Sequence, residues 1–208
     1  MQAKFVYESI KDILRPKSTE EVMDSIEDLS PNRLLVKSSE VGFLPGVKRA
    51  LERNADVNAL NDISLRTASR YGHLPVVELL LKNGADVHAW NDNALRFASQ
   101  FGHLDVVELL LKKRADVHGN SDFALRMASE NGHLDIVKLL IKNGSDVHAE
   151  NDYALLLASR NGHISIVEFL LKNGADVHVK DDYPLRTASY NGNYDVVELL
   201  FKYGADKG

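Results

Sequence analysis

Six glycines recur at a spacing of thirty residues: Gly42, Gly72, Gly102, Gly132, Gly162 and Gly192. Most of their neighbours recur with them. A fixed period of this length marks a solenoid, in which each repeat is one supersecondary unit. Such a unit cannot bury its apolar face alone, so adjacent units stack and bury it together. The period therefore sets the fold class and moves the functional question from an active site to a surface.

The unit that starts at Asn91 shows the internal pattern. Asn93 to Phe101 reads as a short first helix, and Asp105 to Lys113 as a second, with Gly102 between them. Asp92 stands where an N-cap carboxylate would serve the first helix. Asp62, Asp122, Asp152 and Asp182 are its equivalents. In the second helix Val106, Val107, Leu109, Leu110 and Leu111 leave only Glu108 and Lys112 for water, a helix covered on most sides. Glu and Lys at i,i+4 attract in this order. The pair recurs as Glu78–Lys82, Glu168–Lys172 and Glu198–Lys202. Gly84, Gly144, Gly174 and Gly204 follow the second helices, where a left-handed residue ends a helix. Asn54 and Arg114 take that place once each, and Arg114 fits it less well.

These residues carry a resemblance. Gly-His-Leu-x-Val-Val-Glu-Leu-Leu-Leu-Lys-x-Gly-Ala-Asp-Val, from Gly72 to Val87 and in later copies, resembles the ankyrin repeat. The resemblance covers about residues 31–208, in units of about 31–60, 61–90, 91–120, 121–150, 151–180 and 181–208. It implies an all-α-rich ankyrin-repeat solenoid of about six helix-turn-helix units. Two departures stand out. The usual period is ~33 residues, against 30 here, and the shortfall lies where the family projects its β-turn finger. The family's Thr-Pro-Leu-His becomes Ala94-Leu95-Arg96, with only Pro184-Leu185 keeping the proline. Short loops are expected in place of the fingers, with the hairpins weak or absent. Such short units look like ankyrin proteins of large DNA viruses and some intracellular bacteria.

Residues 1–30 do not repeat. Phe5, Val6, Ile10, Ile13 and Leu14 have helical spacing up to Pro16, and Ser18-Thr19-Glu20-Glu21 is a capping-box pattern opening a helix to about Leu29. The segment reads as an N-terminal helical cap, with a partner-docking or addressing tail as the alternative. The last unit keeps Val196, Val197, Leu200 and Phe201 with no distinct polar cap after it, which raises fraying or end-on association there.

Composition narrows the partners. The net charge is -5, which argues against nucleic acid and anionic membranes. No apolar run approaches spanning length, and Met1-Gln2-Ala3-Lys4-Phe5 lacks the apolar core of a signal peptide. The absence of cysteine excludes disulfides and thiolate metal sites. The expectation is a cytoplasmic protein, in a host cytoplasm if it is a viral or bacterial effector.

Candidate chemistry lies in ladders. His73, His103, His133 and His163 form one, and His88, His118, His148 and His178 another. Stacked helices lie ~8–10 Å apart, whereas zinc ligands sit ~2 Å from the metal. Adjacent rungs therefore cannot share an ion, and no metal or cofactor is expected. The first ladder reads as a tie on the inter-helix turn, the second as structural or surface. Ser69–His73, Ser99–His103, Ser129–His133 and Ser159–His163 lack the elbow and oxyanion hole of a nucleophilic site. Small residues where helices meet explain them, and the chain reads as non-enzymatic. Asp86, Asp116, Asp146, Asp176 and Asp206 look like holders of loop amides. Arg66, Arg96, Arg126 and Arg186, interrupted by Leu156, either bind loop carbonyls or a neighbouring capping aspartate, or form a cationic stripe for an acidic partner.

Positions that differ between copies are free of scaffold duty. They concentrate before each glycine, at Arg70/Tyr71, Gln100/Phe101, Glu130/Asn131, Arg160/Asn161 and Tyr190/Asn191, and at the short loops and first-helix starts. The resemblance implies that these registers lie on the concave side. Aromatics and arginine are enriched in binding hot spots. The candidate partner-binding residues are Tyr71, Trp90, Phe101, Phe123, Tyr153, Arg160, Tyr183 and Tyr190. The competing reading is that the aromatics cover the stack where the fingers are missing. The expected function is protein binding through the concave face by a monomer; assembly through the last unit is the alternative.

Overall fold

The computed structural model describes residues 28–206. Among the described residues twelve α-helices follow one another in pairs, and no strand occurs. The first helices of the pairs are α1 (Pro31–Glu40), α3 (Ala59–Arg70), α5 (Ala89–Gln100), α7 (Gly119–Glu130), α9 (Ala149–Arg160) and α11 (Val179–Tyr190). The second helices are α2 (Leu44–Glu52), α4 (Leu74–Lys82), α6 (Leu104–Lys112), α8 (Leu134–Lys142), α10 (Ile164–Lys172) and α12 (Tyr194–Lys202). Neighbouring first helices pack far more closely than neighbouring second helices. The stack therefore bends with the first helices on its inner side. Of the N-terminal cap expected over 1–30, only 28–30 fall within the described residues, where Leu29 packs on the core.

One continuous core runs through the units. Leu65, Leu95, Leu125 and Leu155 of the first helices are fully buried, as are Leu80, Leu110, Leu140 and Leu170 of the second. In α6, Val106, Val107 and Leu110 are buried, while Leu109 and Leu111 keep some exposure beside Glu108 and Lys112. Of the expected Glu–Lys pairs, only Glu168–Lys172 closes, at 2.5 Å. The others stay open because an exposed pair gains little over solvated side chains.

The ladder glycines answer to a neighbour as well as to a turn. Gly102 has φ +82, and a Cβ there would come within 2.6 Å of His133 Cε1 in the next unit. That ring is fixed by Nε2, which donates to the Gln100 carbonyl at 3.2 Å. His73, His103 and His163 likewise bond Glu40, Arg70 and Glu130 carbonyls at 2.9–3.0 Å. The first histidine ladder is thus an inter-unit tie between one turn and the end of the preceding first helix.

The missing finger is replaced by a left-handed turn. Trp90, Asn91 and Asp92 have φ of 57, 57 and 56, and right-handed helix resumes at Asn93. The same turn occurs at 60–62, 120–122, 150–152 and 180–182. Left-handed backbone costs about 1–2 kcal/mol per residue for most side chains and less for Asn and Asp. Those two types dominate the second and third positions. This geometry overturns the N-cap expectation for Asp92. Its carboxylate accepts the Asp116 amide at 2.8 Å and the His88 ring N–H at 3.0 Å, not an amide of its own helix. Asp62, Asp122 and Asp152 likewise accept the amides of Asp86, Asp146 and Asp176.

Candidate protein-binding face

Two rows of side chains line the inner face of the first helices. The upper row starts at the left-handed turns. Arg96 donates to the Trp90 carbonyl at 2.8 Å, Arg126 to Asn120 and Ser121 at 2.8 and 3.1 Å, and Arg186 to Lys180 at 3.2 Å. Arg66 reaches the Leu60 and Asn61 carbonyls and donates through Nε to Asn93 Oδ1 at 3.0 Å. The arginine register therefore clamps the left-handed turns. Leu156 leaves the turn at 150–152 without a clamp.

The same guanidinium groups cover aromatic rings. Arg66 Cζ lies 4.1 Å from the Trp90 ring centroid. Phe123 sits between Arg96 and Arg126 at 5.4 and 5.3 Å. Tyr153 lies 6.0 Å from both Arg126 and Lys180, and Arg186 is 5.3 Å from Tyr183. Burial lowers the pKa of Arg66 and Arg96, with no consequence for their charge near neutrality.

The lower row lies at the C-terminal ends of the first helices. Tyr71 and Phe101 are 46% and 43% exposed. Arg70 stands among them, 5.0 Å from the Phe101 ring, 5.4 Å from Phe97 and 5.8 Å from Tyr71. Farther along, Arg160 pairs with Glu130 at 2.7 Å and Asn161 donates to the Glu130 carbonyl. Tyr190 is 91% exposed and stands apart from these clusters.

Against known families, a model described as ankyrin repeats (3 copies) matches residues 34–121 and again 125–208. The chain belongs to the ankyrin-repeat family. No curated protein matches it. Ankyrin repeats are generally protein-protein interaction modules, which gives the two rows their significance.

The ankyrin stack sorts the eight candidate residues. Phe123 and Tyr153 are half-buried beneath cations, and so cover the stack. Trp90 and Tyr183 combine both roles, with one face on an arginine and 60% and 41% of their surface exposed. Tyr71 and Phe101 form an open cluster. Arg160 is exposed but already holds a carboxylate. Sequence reading passed over Phe97. Its signal was its position four residues before Phe101, on the same helix face.

The aspartate ladder and the second histidine ladder bond within the scaffold. Asp86 accepts the His88 amide at 2.9 Å, and the chain of bonds passes through His88 and Asp92 into the next unit. His118 has its pKa raised by the hydrogen bond to Asp122. Asp62 has its pKa raised by burial, against the bonds that stabilise its charge. Ser69, Ser99, Ser129 and Ser159 are fully buried with unpaired hydroxyls, so no Ser–His dyad forms. Among the described residues no cluster of three or more potential ligands could hold a metal, and no helix is long and apolar enough to cross a membrane.

Proposed function

We propose that the protein is a non-enzymatic binding module that takes a partner protein on its concave, first-helix face. The observation that carries this reading is the set of exposed aromatics there: Tyr71, Trp90, Phe101 and Tyr190. They stand in registers where the copies differ, and exposed aromatics grouped on one face are the usual anchors of protein interfaces. The net charge of -5 disfavours nucleic acid as the partner. A cytoplasmic setting and an effector or inhibitor role belong to the same proposal. They rest on the absence of cysteine and on the likeness of these short units to viral and bacterial ankyrin proteins.

The test is comparative capture. Wild type, a Tyr71→Ser/Trp90→Ser/Phe101→Ser variant and a convex-face Glu108→Lys variant are used as bait against an extract of the source cells. A partner held by wild type and by Glu108→Lys but lost from the triple variant is the expected result. Equal capture by all three contradicts the concave assignment. A second reading draws on Tyr194 and Tyr203, which are exposed on and just after α12. They favour self-association through the last unit, and a mass that stays monomeric by light scattering at high concentration removes it.

A further inference from the structure

Six arginines lie on the first helices α3 to α11: Arg66, Arg70, Arg96, Arg126, Arg160 and Arg186. Five of them donate to a carbonyl, an amide oxygen or a carboxylate of the protein. Arg70 does not. Its equivalent three units on, Arg160 at the C-terminal end of α9, shows that a partner is within reach of this register. Arg160 turns back one unit and pairs with Glu130. Glu40 stands one unit before Arg70 in the same way, yet Arg70 lies forward over Phe97 and Phe101. Within the protein its charge meets only ring faces, and its exposed side stays in water.

A guanidinium has several N–H donors in a planar fork that matches a carboxylate. Beside apolar rings such a pair is less screened than one in open water. Tyr71, Phe97 and Phe101 supply apolar surface on its flanks, with Phe97 and Phe101 ring centroids 6.4 Å apart. Here a charge-assisted bond and an aromatic anchor are offered together.

We propose that Arg70, Tyr71, Phe97 and Phe101 form the docking site for a partner segment in which one Asp or Glu lies next to a large apolar residue. The carboxylate takes the Arg70 fork and the apolar side chain rests on the rings. Arg70 is the one arginine of these six without an acceptor in the protein, so the site offers one open fork beside rings, and a single carboxylate in an apolar context fits it. The site deepens the concave-face reading and rests on it.

The test is a displayed library of random linear peptides, selected on wild type and counter-selected on Arg70→Gln. Peptides that share Asp or Glu within two residues of Leu, Ile, Phe or Trp are expected. The affinity of one such peptide, measured by fluorescence anisotropy, should fall at least tenfold with Arg70→Gln. It should fall equally when the peptide acid is changed to its amide, and the two changes together should cost no more than one. Arg70→Gln lies on the exposed surface, and an unchanged melting temperature confirms its fold. Failure to enrich peptides over the counter-selection overturns the proposal, as does enrichment of peptides without an acidic residue. If the peptides enriched on wild type before the counter-selection keep their affinity in Arg70→Gln but lose it in Trp90→Ser/Tyr183→Ser, this site is overturned and the concave face is left standing. Tighter binding of a synthetic phosphoserine form of a selected peptide than of its carboxylate form also overturns it.

Discussion

Gly102 and Gly84 are both left-handed, but for different reasons. Around Gly84 nothing lies within 4 Å of an added Cβ, so Gly84→Ala meets only the backbone penalty of about 1 kcal/mol. At Gly102 the methyl group meets the His133 ring and endangers its bond to Gln100. Gly102→Ala should therefore cost about 2–3 kcal/mol in a urea melt, the sum of the backbone term and one hydrogen bond. Arg114 offers the reverse experiment. It holds φ 67 in the position that Gly84, Gly144 and Gly174 take in other units. Arg114→Gly should stabilise the protein by about 0.5–1 kcal/mol, since relief of strain exceeds the added freedom of the unfolded chain.

Among the elements, the left-handed turn is the part that departs from the usual repeat, and its arginine clamp is the part most open to test. Arg126 holds two carbonyls of the 120–122 turn. Arg126→Met should cost about 1–3 kcal/mol by urea denaturation, because two charge-assisted bonds are lost and strained backbone is released. The aspartate–histidine chain gives a pH signature. The raised pKa of His118 means that its contribution is full below the ordinary histidine value and fades as pH rises through the raised one. Thermal stability should thus decline as pH rises above the ordinary histidine value of about 6.5, and His118→Asn should flatten part of that decline. Asp62 acts with the same sign in the carboxylate range, since burial raises its pKa too. Paired helices, glycine turns and short loops in place of the fingers were legible in the sequence, because apolar spacing and a shortened period express them directly. The left-handed turn was not. Asn-Asp before a helix reads equally as an N-cap or a left-handed stretch, and what distinguishes them is the positive φ of 90–92 and the bond from Asp116 to Asp92 across 24 residues.

For the whole molecule, stacking makes contacts local: each unit meets its neighbours, and the inner face is a ruled surface of near-equivalent positions. That regularity made the candidate face readable from the differences between copies. It did not reveal which cations were already occupied. Arg66, Arg96, Arg126 and Arg186 could be read as a stripe for a partner until their carbonyl acceptors were seen. Arg70 looked like one variable residue among many until the lack of any acceptor singled it out. Binding should therefore centre on the units around α3 and α5, with the clamped upper row as its edge. Hydrogen exchange of the protein alone and saturated with a captured partner tests this most directly. The account predicts new protection at the ends of α3 and α5 and in the turns after them, about residues 67–73 and 97–103, with the second helices unchanged. Protection confined to α4, α6 and α8 on the outer side would contradict it.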